Sequence, residues 1–164
     1  MKKLTEAEII CKKLQGETIL TIIRTYNLSL SFIKNNKDKF SEKEWNAIIV
    51  NQKLSETVIR KCQDKVNWSQ LSMWQNLSED FIREFQDKVN WTNISVNQKL
   101  SESFIREFQD KVDWGFISIH QQLSEDFIRE FEDRVVWHYI IQNSENYFRN
   151  FSEEFKKEFA NYFS

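Results

Sequence analysis

WSQLSMWQNLSEDFIREFQDKVN, residues 68–90, is followed by WTNISVNQKLSESFIREFQDKVD, residues 91–113, and by WGFISIHQQLSEDFIREFEDRVV, residues 114–136. Tryptophan recurs at intervals of 23 residues, at Trp45, Trp68, Trp91, Trp114 and Trp137. A fixed period of roughly 20 to 50 residues is typical of proteins built from stacked structural repeats. We therefore predict an all-α fold, a right- or left-handed α-solenoid of short two-helix repeats of 23 residues with N- and C-terminal cap helices.

Each repeat is predicted to contain two helices. In residues 68–90 the first helix is expected to follow Asn67, because asparagine is a favoured N-cap residue, and to bury Trp68 and Leu71 on one face. The second is expected to follow Ser78, with an apolar arc of roughly 100° that matches a buried helix face. That arc is formed by Phe81, Ile82, Phe85 and Val89. One repeat buries too little apolar surface to fold alone, so neighbouring repeats must stack.

The chain is predicted to be a single α-solenoid domain, residues 1–164. Its parts are an N-terminal cap helix (1–17), a degenerate repeat (18–44), four regular repeats (45–136), and a degenerate C-terminal repeat with its cap (137–164). In the last part SENYFRNF, residues 144–151, matches SEDFIREF of the regular repeats. The following SEEFKKEF is expected to continue the same helix.

The pattern W-x-x-[IL]-S-x-x-Q-x-L-S-E-x-F-I-R-E-F-x-D-K-V resembles the Trp-anchored helical repeats of about 23 residues in uncharacterised proteins of giant DNA viruses, phages and low-GC bacteria. The resemblance covers residues 45–137 well and the flanks poorly. It implies an α-solenoid and brings no catalytic residues with it.

Composition disfavours several classes of function. With 23 basic and 25 acidic residues, the chain lacks the basic field that nucleic-acid binding needs. No apolar run approaches roughly 18 residues, so we expect a cytoplasmic protein without a membrane span, in the host cytoplasm if a phage or virus encodes it. Neither Cys11 and Cys62 nor His120 and His138 have metal-ligand spacing. We therefore expect no metal, no cofactor and no enzymatic activity.

Two polar ladders repeat faithfully. The arginine ladder has an aspartate four residues after each member and a glutamate four residues before the last three: Arg60, Arg83, Arg106 and Arg129. We interpret it as a solvated face of local ion pairs; the alternative is a grip on an acidic or phosphorylated ligand. The glutamine ladder is expected to bond to backbone at the turn between repeats, a catalytic amide being much less favoured: Gln52, Gln75, Gln98 and Gln121.

The first helices vary at two positions that lie one helical turn apart, the second and the sixth after tryptophan. Variation on one face over a constant framework is how repeat proteins build binding surfaces. The predicted partner-binding residues are Gln70, Trp74, Asn93, Asn97, Phe116, His120, Tyr139 and Asn143. The alternative is unconstrained drift, which gains support from a second apolar side at the fifth position: Val50, Met73, Val96 and Ile119.

Two functions remain open. The first is a non-enzymatic module that binds another protein, of unknown identity, through this face. The second is a small phage- or virus-encoded inhibitor of a host defence protein, comparable with anti-CRISPR proteins. It is suggested by the near-verbatim repeats, the shortage of alanine and the lack of catalytic groups. Neither of these functions implies a particular oligomeric state.

Overall fold

The computed structural model of the chain describes residues 1–142 and 151–162. It contains two compact units, Met1–Val89 and Asn90–Ser164, which are described separately. The elements of the first unit are β1 (Lys3–Leu4), α1 (Glu6–Leu14), α2 (Ile19–Thr25), β2 (Asn27–Leu28), α3 (Leu30–Asn35), a 3₁₀ turn (Lys37–Lys39), α4 (Glu42–Asn51), α5 (Glu56–Lys61), α6 (Trp68–Trp74) and α7 (Glu79–Glu84). Those of the second are α8 (Trp91–Asn97), α9 (Glu102–Glu107), α10 (Trp114–His120), α11 (Glu125–Glu130), α12 (Trp137–Gln142), α13 (Glu153–Glu158) and a 3₁₀ turn (Ala160–Tyr162).

The predicted fold class is confirmed: the chain is an all-α repeat solenoid of two-helix units, in which only the two-residue strands are not helical among the described elements. In the first unit α4 packs between α2 and α6, and α3 packs against α5. In the second unit α10 packs between α8 and α12. The first helices of successive repeats thus form a row within each unit. None of the described helices is long and apolar enough to cross a membrane.

The predicted N-caps start the helices. The Asn67 side chain accepts a hydrogen bond from the backbone N–H of Gln70, and the Ser78 side chain accepts one from Phe81. Equivalent caps start the other regular helices, at Ser55, Asn90, Ser101, Asp113 and Ser124. Helices this short are marginal alone because nucleation is costly. Caps and packing therefore stabilise them.

The second helices fill the core with phenylalanine and isoleucine. Phe127 and Ile128 of α11 are fully buried, as are the equivalent pairs of α7 and α9. The Trp114 ring lies 5.0 Å from the Phe131 ring, and its indole N–H donates to the Gln109 carbonyl at 2.9 Å. Cys62 is fully buried at the position of these later phenylalanines, as predicted, and burial raises the pKa of its thiol.

The two outermost second helices replace apolar positions with charged residues. In α1, Glu8 and Lys12 stand where α11 has Phe127 and Phe131. In α13 the phenylalanines are kept as Phe155 and Phe159, and Lys156 stands where α11 has Ile128. Each end therefore becomes polar at a different position.

The interpretation of SEEFKKEF as a continuation of the preceding helix is wrong. The Ser152 side chain accepts from the backbone N–H of Phe155 and starts a helix of its own, α13. The Trp137 ring lies 4.6 Å from the Phe159 ring, as Trp114 lies against Phe131. SEEFKKEF is thus the equivalent of SEDFIREF. Of the competing match at residues 144–151, all but Phe151 lies outside the described residues.

The glutamine ladder bonds to backbone, as predicted. Gln121 is buried; its side-chain N–H₂ donates to the carbonyls of Ser95 and Gln98 at 3.2 and 2.8 Å, and its side-chain oxygen accepts from the Leu100 N–H at 3.0 Å. Gln75 and Gln52 hold the preceding repeat in the same way within the first unit. Each amide therefore satisfies three buried backbone groups of its neighbour.

At the start of the chain Tyr26 occupies the glutamine position, and the backbone segments meet directly. Strands β1 and β2 are parallel, with Lys3 opposite Asn27 and Leu4 opposite Leu28. The Asn27 N–H donates to the Lys2 carbonyl at 2.8 Å. The interior glutamines thus take the place of a β-bridge between consecutive turns, because their amide groups present the same donor and acceptor types as backbone.

In α5, α9 and α11 a glutamate in the first turn of the second helix caps the second helix of the next repeat. Glu102 accepts from the backbone N–H of Ser124 at 2.6 Å, and Glu125 accepts from both the N–H and the hydroxyl of Ser152. Glu56 and Ser78 form the same contact in the first unit. The glutamate of one repeat therefore satisfies the N-cap N–H of the next.

This cap predicts a pH dependence of stability. The Ser152 N–H, followed by its hydroxyl and Arg129, holds the pKa of Glu125 below its ordinary value of 4.5. Because the folded-state pKa is the lower one, the stabilisation is complete above 4.5 and is lost as the pH falls through the folded-state value. We expect Glu125→Gln to be less stable than wild type at neutral pH and to lose less stability on acidification. Urea unfolding from pH 7 to about 3 measures this.

Glu132→Gln is the matched control, because the exposed Glu132 side chain has no ion pair in the described part of the chain. The prediction would be contradicted if the free energy of unfolding fell by the same amount on acidification in wild type and in Glu125→Gln.

Candidate partner-binding face

The variable face is the set of first-helix side chains at the second and sixth positions after tryptophan. In the first unit its predicted members are Gln70 and Trp74 on α6. In the second unit they are Asn93, Asn97, Phe116, His120 and Tyr139, on α8, α10 and α12. The remaining predicted member, Asn143, lies outside the described residues.

Side chains of the variable face contact their partners one helical turn away. The Trp74 indole N–H donates to the side-chain oxygen of Gln70 at 3.1 Å. The rings of Phe116 and His120 stack with centroids 6.1 Å apart. Asn97 donates to the backbone carbonyl of Asn93 at 3.0 Å. The expectation that the two positions share a side of the helix is confirmed.

Exposure differs between the two positions. The sixth-position residues Trp74, Asn97 and His120 are exposed, and 53% of Trp74 is accessible to solvent. The second-position residues Gln70, Asn93, Phe116 and Tyr139 are half-buried. Recognition would therefore rest mainly on the sixth position, with the second position as its support.

Tyr139 is engaged within its own unit. A methyl group built on Gly115 would lie 3.7 Å from Cε2 of the Tyr139 ring and 3.3 Å from a carboxylate oxygen of Asp113. The tyrosine ring therefore lies within ordinary contact distance of the start of α10. The side chain at this variable position is therefore used in part for packing between repeats.

The expectation that variation is confined to the second and sixth positions is wrong. The first and eighth positions vary as well, and they are mostly exposed: Asn46, Ser69, Thr92, Gly115 and His138 at the first, and Lys53, Asn76, Lys99 and Gln122 at the eighth. The aligned repeats themselves show this variation. The variable surface is therefore broader than one helical stripe.

A groove in the first unit gathers several of these residues. It has a volume of about 280 Å³ and lies between the turn after α4 and the end of α6. Val50, Asn51 and Lys53 line one part of it, and Trp74 and Asn76 line another. Val50 and Met73, on the second apolar side of the first helices, are 44% and 37% exposed. No described helix of the unit covers them fully.

Four of the first helices, those that begin at a tryptophan, carry no formal charge. Sequences WSQLSMW, WTNISVN, WGFISIH and WHYIIQ form α6, α8, α10 and α12, without aspartate, glutamate, lysine or arginine. By contrast, α7 and α11 read EDFIRE, with charges at all positions except phenylalanine and isoleucine. These four first helices are thus neutral and carry aromatic residues, whereas the second helices α7 and α11 are highly charged.

The arginine ladder is occupied by ion pairs, but the second carboxylate differs from the predicted one. The glutamates four residues before Arg83, Arg106 and Arg129 lie 3.6 to 3.8 Å from them, as expected. Glu56, which was not predicted, lies 3.7 Å from Arg60 in the same way. The predicted aspartates four residues later are not the close partners of Arg60, Arg106 and Arg129; these arginines bind a glutamate of the next repeat at 2.7 to 2.8 Å: Glu84, Glu130 and Glu158 respectively. Asp64 instead contacts Lys37 and Lys65.

These ion pairs leave the ladder little capacity for an anionic ligand. The hydrogen bond that Arg129 donates to Glu158 raises the pKa of Arg129, with smaller contributions from Glu125 and Asp126. The Arg106 guanidinium also lies 4.8 Å from the centroid of the Phe127 ring. The arginines therefore link consecutive repeats.

No group of three histidine, cysteine, aspartate or glutamate side chains in residues 1–142 and 151–162 is placed to hold a metal ion. His120 stacks on Phe116, and His138 lies with its ring 5.8 Å from that of Tyr139. Cys11 is exposed on α1.

No protein-family model, curated protein or solved structure matches the chain. The functional proposal therefore depends on the geometry and chemistry of the chain itself.

Proposed function

We propose that the protein is a non-enzymatic interaction module that binds another protein through the variable face of its first helices. The observation that carries the proposal is the absence of charge from α6, α8, α10 and α12, combined with exposed or half-exposed aromatic residues. Interface cores are depleted in charged residues and enriched in aromatic ones.

The composition of this face supports protein recognition in a second way. Asn93 lies on the face with Trp74 and Tyr139, and Ser69 and Gly115 stand at the neighbouring first position. Tryptophan and tyrosine supply rigid contact area, and serine, asparagine and glycine supply adaptable hydrogen bonding, as in antibody paratopes. The constant second helices and their inter-repeat bonds supply the rigid support that keeps such side chains in place.

The test is retention of a partner from lysate of the native host on the immobilised protein. We expect wild type to retain a protein that Trp74→Ala combined with Phe116→Ala retains at least about 10-fold less, because hot-spot aromatics dominate binding energy. The control is Lys61→Ala combined with Glu132→Ala, both exposed and outside the first helices. Circular dichroism of each variant establishes that it is folded. Equal retention by both double variants would contradict the proposal.

A narrower candidate is an inhibitor of a host defence protein, encoded by a phage or virus and acting in the host cytoplasm. It is favoured by the near-identity of the second helices, such as EDFIRE in both α7 and α11, and by the resemblance to viral and phage repeats. Capture of a defence protein in the same experiment supports it. Capture of a housekeeping protein counts against it.

A further inference from the structure

We propose that the groove beside Trp74 binds a linear segment of a partner protein in which an apolar side chain stands next to a carboxylate. This inference rests on the proposed function and names the chemistry of the partner. The groove lies wholly within the first unit, between the turn after α4 and the end of α6.

The apolar half of the site is formed by Trp74 and Val50. Both side chains are about half exposed, and both line the groove. The indole ring is held in place because its N–H donates to Gln70 at 3.1 Å, so the ring loses little further freedom when a ligand packs on it. Fixed, exposed tryptophan rings are typical anchors of protein interfaces.

The size of the groove favours a peptide side chain. Its volume of about 280 Å³ lies just below the range of small-molecule sites, roughly 300 to 1,000 Å³. The groove is also open to solvent, so the backbone of a bound peptide can continue past it. One apolar side chain in the groove, with its backbone outside, fits these dimensions.

The charged half of the site is Lys53. Its ammonium group makes no hydrogen bond or ion pair with any described residue, and no aspartate or glutamate lines the groove. Cations on the second-helix side are engaged: Arg60 bonds to Glu84 at 2.8 Å and Lys65 to Asp38 at 2.9 Å. An unpaired ammonium beside an apolar anchor favours an anionic group at that point of the ligand.

A carboxylate fits this site better than a phosphate. Phosphorylated peptides are generally recognised by clusters of arginine with forked hydrogen bonds, whereas a single lysine acts as a point charge. The groove contains one lysine and no arginine. The exposed amide of Asn76 adds a neutral donor next to it.

The experiment is selection of a displayed library of short random linear peptides on the immobilised full-length protein. We expect the enriched peptides to carry aspartate or glutamate beside an apolar residue. A synthetic copy of one such peptide should bind about 30-fold more weakly to Trp74→Ala and about 5-fold more weakly to Lys53→Gln. Its binding should also weaken as salt is raised.

Lys99→Gln is the matched control. Lys99 stands at the same position two repeats later, where His120 takes the place of Trp74, and the variant should bind the peptide as wild type does. Peptides that need Trp74 but lack a carboxylate, or that ignore Lys53→Gln, overturn this inference and leave the proposed function standing. Failure to enrich any peptide also overturns it. A lysate partner retained equally by Trp74→Ala combined with Phe116→Ala overturns both.

Discussion

Gln121→Met should lower the free energy of unfolding by about 4 kcal/mol, since three buried backbone groups would each lose a partner at a cost of roughly 1 to 3 kcal/mol. Methionine has nearly the same length and shape as glutamine and fills the space, so the expected loss comes from hydrogen bonding. The groups left unsatisfied are the N–H of Leu100 and the carbonyls of Ser95 and Gln98. Urea unfolding followed by circular dichroism measures the change.

The neighbouring residue provides the control. Gln122 is exposed, and Gln122→Met should change stability by less than about 0.5 kcal/mol, as is usual for surface substitutions. If Gln121→Met and Gln122→Met were equally stable, the glutamine ladder could not be what joins consecutive repeats.

Ile128→Lys should destabilise the protein by about 4 kcal/mol or more, because a buried charge without a partner is among the costliest single changes. Ile128 is fully buried in α11. A lysine already stands at the same position of the final second helix, where Lys156 is partly exposed and pairs with Glu153 at 2.8 Å. The same residue type should therefore be tolerated at one end of the array and rejected inside it.

Two further variants keep this prediction measurable if Ile128→Lys does not fold. Ile128→Ala should cost about 3 kcal/mol, the usual cost of deleting a large buried aliphatic side chain. Lys156→Ile should change stability by no more than about 1 kcal/mol, the usual size of an exposed ion pair. A large loss of stability in Lys156→Ile would contradict the view that Lys156 is a partly exposed residue standing where α11 has the buried Ile128.

The sequence predicts well whatever depends on short separations along the chain. The N-caps at Asn67 and Ser78 and the buried pair Phe81 and Ile82 follow from residues within one or two turns of each other. The second helix ends at Glu84, so the buried Phe85 and Val89 of the predicted arc lie beyond it. The glutamine ladder was also predictable, because a buried amide at a turn has only backbone nearby to satisfy it.

Contacts between repeats were predicted less well. The Arg60–Glu84 and Arg106–Glu130 bonds join residues 24 apart, and local spacing pointed instead to an aspartate four residues away. Choosing between these partners requires the distance and rotation between repeats, which no periodicity supplies. The pairing of β1 with β2 was not predicted either, because only two residues of each strand take part in it.

The candidate face was predicted in part. Trp74 and His120 are exposed, as a binding role requires, but Tyr139 lies against Gly115 and serves packing as well. Lys53 and Asn76 were not predicted, because they follow the first helices α4 and α6 and lie outside the helical periodicity. The structure shows that both residues are exposed and that they line the same groove as Trp74.

Within each unit the junction between regular repeats uses the same bonds from the same positions, as Gln75 with Leu54 and Gln121 with Leu100 show. A gene segment cut at one tryptophan codon and rejoined at an equivalent one would therefore encode the same junction again. Unequal recombination between such near-identical segments could lengthen or shorten the chain by whole repeats without requiring a new core. The variable residues would move with each segment, so one exchange would also reorder the side chains offered for recognition.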